Sequence, residues 1–506
     1  MKKRIPLSRA LLLCGMGLVI PCYLYTVLNV TLSPWPLYER VRPALVILTL
    51  LCSAALYALW KMVQKHESFI LRHERILTAG VIVLFLIPQL ILGCMMAFNP
   101  LSDQFVCYYG AKEWVSNGAP SAENLDLLAV TPNNFGRLVL QMLLQKLLRF
   151  FNLSFADDLH AATAIFNALL FVPGFLCLLQ SARMLGGVRA KAAAALGLMT
   201  CLPLYYCTAQ MYTDALTAPF VMIALYLLLR MARAETERAA HGFALLAGAV
   251  LLVGLELRVT VLIVFIAAVI SGVFLLRKRR LLCFVTCAAI MLAGNAAFMD
   301  YREDVMGKER LDQLSMPIVH WLVLGAPDPY GEYYGEFTSQ DYLFATSFDD
   351  PDERDRALWL KLKERVYQLR YPDRLLSAVS RKNLSTFGDG SFRFEEQTRL
   401  LNRAPAIVRA LLIEKTAAHR VVQHICTGFF MAYMIAASAS CLKMLKLRRT
   451  DFGRAALMIS LVGAFIFLTL WETKARYFFN FVPLLILAGA LYEPQKNEEK
   501  QHEKLA

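Results

Sequence analysis

The chain has 506 residues, 58% of them hydrophobic and 18% charged, which is too apolar for a soluble fold of ordinary composition. The formal charge of +14 raises nucleic acid as a partner, but Lys and Arg collect in short links between apolar runs. That distribution is the positive-inside bias of a polytopic membrane protein, so no nucleic-acid partner is expected and membrane lipids are.

A helix needs about 20 apolar residues to cross the hydrocarbon core. Runs of that kind lie at 8–29, 43–62, 77–97, 159–182, 190–206, 213–231, 242–256, 259–276, 281–299, 421–442, 455–472 and 477–492. The first, in "MKKRIPLSRALLLCGMGLVIPCYLY", starts like a signal peptide. Its apolar stretch is long and no A-x-A site follows, so it is read as an uncleaved span. With the N-terminus in the cytoplasm, Lys61, Lys65, Arg72, Arg75, Arg183, Arg189, Lys191, Arg230, Arg233 and Arg238 all fall inside. So do "RKRR" at 277–280 and "KLRR" at 446–449, and the C-terminus is cytoplasmic too.

This sidedness requires 136–152 not to span. In "GRLVLQMLLQKLLRFF" the residues Arg137, Gln141, Gln145 and Arg149 recur every four positions, opposite Leu and Phe. The spacing predicts an amphipathic helix on the outer leaflet, started by "TPNN". The expected fold is therefore an all-α polytopic membrane protein of about 12 transmembrane helices, with outer juxtamembrane helices and a long extracytoplasmic loop.

The chain divides into two N-terminal helices with a basic cytoplasmic loop (1–76), a transmembrane core (77–299) holding a first outer loop (98–158), an extracytoplasmic loop domain (300–418), C-terminal transmembrane helices (419–492) and a charged cytoplasmic tail (493–506). Within the loop domain "DERDRALWLKLKERVYQL" predicts a helix with Leu358, Leu362, Val366 and Leu369 on one side. The 12 cysteines show no C-x-x-C or Cys/His spacing, which points to buried free thiols rather than disulfides or zinc.

Ionisable residues at a membrane boundary are expensive and so are candidates for function. On this topology they gather on the outer face. They are Asp103 in "NPLSDQFVCYYGAKEW", Asp214 in "MYTDALTAPF", Glu256 and Arg258 in "LELRVT", and Glu472, Lys474 and Arg476 in "WETKARYFFNFVP". The long loop adds His320 in "MPIVHWLVLG", Lys382 in "RKNLSTF" and Asp389 in "FGDGSF". Carboxylates deprotonate hydroxyls or hold metals, and Arg and Lys bind phosphate.

Each residue also has a plainer reading. Asp103 and Asp214 stand where an acid stabilises a helix start. Lys474 and Arg476 can snorkel to the surface, Glu256 and Arg258 can pair structurally, and His320 can be a satisfied core histidine. "FGDGSF" suits a tight turn in which glycine supplies positive φ and Asp389 bonds its own backbone. Tyr108, Tyr109 and Trp114 suit interface anchors.

The order of these motifs resembles the GT-C superfamily of membrane glycosyltransferases. An acid soon after a span opens the first outer loop ("NPLSDQFVCYYGAKEW"), a Y-x-D motif follows ("LPLYYCTAQMYTDALTAPF"), and a late span begins E-x-x-x-R-Y ("ETKARYFFNFVP"). "MPIVHWLVLG" and "RKNLSTFGDGSFRF" are similar to P-x-x-H-W-x-x-x-G and K-x-x-x-x-x-x-D-G-x-F in a subgroup of Gram-positive members; an intervening G-Y-x-x-x-D departs here to "GEFTSQD". The likeness runs from about residue 77 onward, with the first two spans as an addition.

It implies a bacterial cell-membrane enzyme that transfers a hexosyl or pentosyl unit, with inversion, from a polyprenyl-phosphate sugar donor to an envelope glycan, cell-wall polymer or lipid acceptor on the extracytoplasmic face. Asp103 would be the general base, and Arg476, Lys474 and Arg258 would bind the donor phosphate. Asp214 and Glu472 would place a metal or the acceptor, and His320, Lys382 and Asp389 would contribute from the loop. A divalent metal ion, Mg or Mn, is left open. Two rivals share the sequence features: a flippase or transporter of a lipid-linked glycan, and a ligase-type transferase of whole glycans.

Overall fold

The structure, a computed structural model, describes residues 7–33, 41–96, 98–153, 159–210, 212–326, 334–397, 399–400, 404–447 and 450–492. The predicted tail at 493–506 lies outside them.

The first apolar run folds as α1 (Leu7–Gly17) and α2 (Val19–Leu32), and α3 (Arg42–Lys65) returns. The short α4 (Glu67–Arg72) makes the turn into α5 (Glu74–Met95). Two residues, β1 (Phe98–Asn99), then pair antiparallel with β2 (Arg399–Leu400) from the long loop. The first outer loop is α6 (Asp103–Asn117), α7 (Ala122–Val130) and α8 (Phe135–Phe150).

Two predicted runs share α9 (Leu159–Met199), which leaves helical geometry at Gly186 and Gly187. Gly187 has φ 72° and ψ −164°, a region open essentially to glycine alone, so this residue permits the break. The chain turns back there: Asn167, near the start of α9, bonds the Thr208 carbonyl at 3.0 Å, just after α10 (Pro203–Tyr206).

The core continues through α11 (Thr213–Arg233), α12 (Glu237–Leu257), α13 (Leu262–Leu275) and α14 (Lys278–Met306). The loop domain holds α15 (Lys308–Leu314), α16 (Ile318–Gly325), α17 (Ser339–Thr346), α18 (Pro351–Gln368), α19 (Pro372–Phe387) and α20 (Ala406–Leu412). In α18 the predicted apolar side is buried at Leu358 and open at Val366. The chain re-enters the bundle as α21 (Ala417–Lys446), α22 (Phe452–Leu470) and α23 (Val482–Ala490).

The protein is thus an all-α polytopic membrane protein. Among the described residues nine helices are long and apolar enough to cross a membrane, and two shorter apolar helices, Val259–Leu275 and Ala475–Ala490, accompany them. Leu198, Leu225, Met434, Leu461 and Leu485 bring α9, α11, α21, α22 and α23 into one core, while Leu50, Leu84, Leu246 and Leu282 face outward from other spans.

One end of the bundle gathers the basic links. Lys191 pairs with Glu74 at 2.8 Å, Arg183 also pairs with Glu74, and Arg189 pairs with Glu67. Arg9 reaches Thr450 Oγ1 at 3.3 Å. The cysteines are all free, eight of them buried.

Candidate active site

At the opposite end, four breaks in helical structure converge. These are the start of α6, the start of α11, the end of α12 and the turn Ala475–Phe481 before α23. Backbone groups at helix ends lack intrahelical partners, and side chains placed there face a polar environment.

Asp214, in the first turn of α11, is buried between two guanidinium groups. Arg258 Nη1 lies 2.6 Å from its Oδ1 and Arg476 Nε lies 3.2 Å from its Oδ2. Neither Asp214 oxygen has a partner with hydrogen-bonding geometry, so these are charge contacts off the hydrogen-bonding angle. Arg258 Nη1 also donates to Thr213 Oγ1 at 3.2 Å.

Two tyrosines hold the arginines face-on. Arg476 lies 4.2 Å from the centroid of Tyr212 and 5.2 Å from that of Tyr477, and Arg258 lies 4.3 Å from Tyr477. Such cation–π contacts fix a guanidinium without consuming its N–H donors. The Tyr212 hydroxyl donates to Asp103 Oδ2 at 3.1 Å. Burial pushes the Tyr212 phenol up, so it stays a proton donor to Asp103.

Asp103 is the first residue of α6, where the helix dipole favours a negative charge. That is the position its plainer reading expects, although Ser102, at φ 51°, is the cap residue and no side-chain hydrogen bond caps this helix. Asp103 is half-buried, and Ser102 Oγ lies 3.5 Å from its Oδ1.

Glu472 is buried and accepts from the Tyr477 hydroxyl at 3.2 Å. Burial holds its carboxyl above the ordinary range, against the lowering fields of Lys474 and Arg476. Lys474 is depressed by burial and by Arg476, and it faces Phe337 at 6.0 Å. Lys382 comes to the same region but donates to the Trp471 carbonyl at 2.7 Å and to that of Gly325. Burial lowers it to about 7, and its role is to tie the loop domain to the end of α22.

The convergence therefore joins Asp103, Asp214, Arg258, Glu472, Lys474, Arg476 and Lys382. Three expectations change. Asp389 is spent on its own turn: its oxygens accept from Ser391 N at 2.8 Å, Ser391 Oγ at 2.7 and 2.9 Å, and Arg393 N at 3.0 Å. Positive φ in that turn belongs to Phe392 and Arg393, at 61° and 51°, not to its glycines.

His320 sits in the loop domain's own buried cluster, edge-on to Trp321 at 5.2 Å. There Asp341 pairs with Lys361 at 2.8 Å and Arg365 at 2.8 Å. Burial lowers His320 to about 4, so it is neutral at physiological pH.

Asp214, expected to place a metal or the acceptor, lies between two arginines. Among the described residues no group of three or more His, Cys, Asp or Glu could hold a metal. Both Asp214 oxygens face guanidinium groups.

The orientation of α8 also differs from expectation. Arg137, Gln141 and Gln145 are buried, while Leu143, Leu147 and Phe150 are 54, 53 and 79% exposed. The period is as predicted, and three of the four residues of the polar row turn into the bundle while Arg149 is exposed. A Cβ on Gly136 would overlap the Glu256 carbonyl, so glycine lets α8 dock against the end of α12. Tyr108 and Trp114 are buried in this packing and Tyr109 is exposed.

Tyr212, Tyr477 and Arg137 were missed as site residues. The first two stand inside quoted motifs, adjacent to Thr213 and Arg476. Arg137 lies 5.2 Å over the Tyr212 ring.

A family model described as "Conserved hypothetical integral membrane protein" matches residues 40–496. No curated protein matches the sequence. Among solved structures, the fold is similar to the archaeal oligosaccharyltransferase AglB from Archaeoglobus fulgidus in complex with an inhibitory peptide and a dolichol-phosphate. The TM-score is 0.41 at 14% identity, over 83% of this chain and 50% of that one. The chain thus spans half the length of that neighbour.

Proposed function

The chain belongs to the family described as conserved hypothetical integral membrane proteins, and we propose that it is a GT-C-type glycosyltransferase using a polyprenyl-phosphate sugar at the outer membrane face. The observation that carries this reading is the set Asp103–Tyr212–Arg476–Asp214–Arg258, in which a half-buried carboxylate is joined through one phenol to two arginines sharing one carboxylate. Two guanidinium groups on a single acid leave a net positive charge, and their contacts to Asp214 are off-angle. A phosphate arriving there gains bidentate donors.

In this reading Asp103 takes the proton of an acceptor hydroxyl. The freed oxygen attacks the anomeric carbon, the bond from that carbon to the phosphate oxygen breaks, and polyprenyl phosphate leaves with the electron pair. Arg476 and Arg258 stabilise the charge that develops on it, and Lys474 adds a third cation. Glu472 orients Tyr477 beneath both arginines. With Asp214 between two arginines and Glu472 bonded to Tyr477, this reading assigns no carboxylate among the described residues as a nucleophile, and the transfer it describes is inverting.

Purified protein in proteoliposomes, given labelled polyprenyl-phosphoryl sugars and cell-envelope acceptors, should form labelled glycan with release of polyprenyl phosphate. Arg476→Lys should raise the donor KM, because an ammonium lacks the bidentate fork. Movement of the labelled lipid across the bilayer with no transfer would reject the enzyme in favour of a flippase.

A further inference from the structure

Apart from Arg137, which lies over Tyr212, the inward face of α8 has no part in the chemistry above. Arg137, Gln141 and Gln145 are 0, 1 and 0% exposed, and Gln104, beside Asp103 on α6, is 0% exposed. None of the side-chain nitrogens or oxygens of these four residues has a hydrogen-bond partner among the described protein atoms. No described carboxylate pairs with the Arg137 guanidinium, which lies over Tyr212.

Buried polar groups are almost always satisfied in folded proteins, and an unpaired buried cation is the most expensive exception. A row of them on one helix face points to an external partner. Its chemistry is specific, because amides both donate to and accept from hydroxyls, whereas a guanidinium takes an anionic oxygen. Positions 137, 141 and 145 stack on one face. At 1.5 Å per residue they cover about 12 Å, longer than one sugar ring. The row begins at Arg137 beside Tyr212, whose hydroxyl is bonded to Asp103.

We propose that the row Arg137–Gln141–Gln145, completed by Gln104, is an acceptor subsite for a glycan chain of more than one sugar. The amides bond its hydroxyls, and an anionic group lying at the reactive end neutralises Arg137. This rests on the transfer reading and names its acceptor class. In this structure the row is closed against the bundle. The anion has two sources, the donor's phosphate or an acidic substituent of the glycan.

Calorimetric titration of the full-length protein in lipid nanodiscs tests this with geranyl phosphate, cellotetraose and tetragalacturonic acid as probes. At least one tetrasaccharide should bind. The double variant Gln141→Leu/Gln145→Leu should weaken it about tenfold or more, the equivalent of one or two hydrogen bonds. It should leave geranyl phosphate affinity unchanged and raise the Tm of the ligand-free protein, since it removes unsatisfied groups. Arg137→Gln should weaken geranyl phosphate if the anion is the donor's, and tetragalacturonic acid alone if it is the glycan's.

The subsite is overturned if neither tetrasaccharide binds the wild type, if the Leu variants bind them unchanged, or if those variants lower the ligand-free Tm. Binding needs no turnover. Loss of the subsite with transfer intact therefore rejects only this proposal, and intact binding without transfer rejects only the enzyme.

Discussion

The Asp214 carboxylate is the most consequential single group, because it lies between two guanidiniums that are themselves largely buried. Removing it takes away the acid the two arginines share, a change that costs about 3–5 kcal/mol when one partner of a buried pair is lost. Asp214→Ala should therefore lower the Tm of the purified protein sharply, and a variant melting with the wild type would show the pairing to be energetically idle. His320 makes a pH prediction. Its folded value of about 4 lies below the ordinary 6.5, because burial and the cations Arg354 and Lys361 outweigh Asp341. The unfolded chain then binds more protons between those values, so stability present above pH 6.5 is lost as pH falls toward 4. His320→Gln should flatten the melting profile across that window, and an unchanged slope would contradict the assignment. The sequence pattern located these residues but not their partners: nothing in "YTDA" says that Arg258 and Arg476, far away in the chain, share Asp214.

Among elements, the spans were readable because about 20 apolar residues leave little choice of structure in a bilayer. The break inside α9 was readable only as two runs, since Gly186–Gly187 marks flexibility and not a direction. Gly187→Ala forces a side chain into the region at φ 72° and should cost about 1–3 kcal/mol, measured as a lowered Tm; an unshifted Tm would mean the turn relaxes. Helix α8 shows where pattern reading stops. A four-residue period fixes which side chains share a face, but the neighbours decide whether that face meets headgroups or the bundle. The observed orientation is testable by truncation. Leu138→Ala, at a buried position, should lose about 2–5 kcal/mol. Leu147→Ala, on the outward face, should stay within about 0.5 kcal/mol.

Across the whole molecule, the two ends of the bundle differ in kind. One carries Arg183 and Lys191 on Glu74 and Arg189 on Glu67, and the other carries buried arginines, tyrosines and carboxylates in a shared network. We propose from the positive-inside bias that the first end is the cytoplasmic one. Reporter fusions should accordingly place 235 inside and 350 outside, and the reverse pattern would remove the site from the outer face. The apolar runs and the basic links were enough to sort residues between the two ends, and so to collect Asp103, Asp214, Arg258, Glu472, Lys474 and Arg476 before any geometry was known. Their roles depend on contacts between distant segments. The most direct test of the central claim is the initial rate of sugar transfer by Asp103→Asn in proteoliposomes, with donor and acceptor both saturating. Loss of a general base predicts a fall of about 10²–10⁴-fold with folding and donor binding retained, and transfer at the wild-type rate would contradict it.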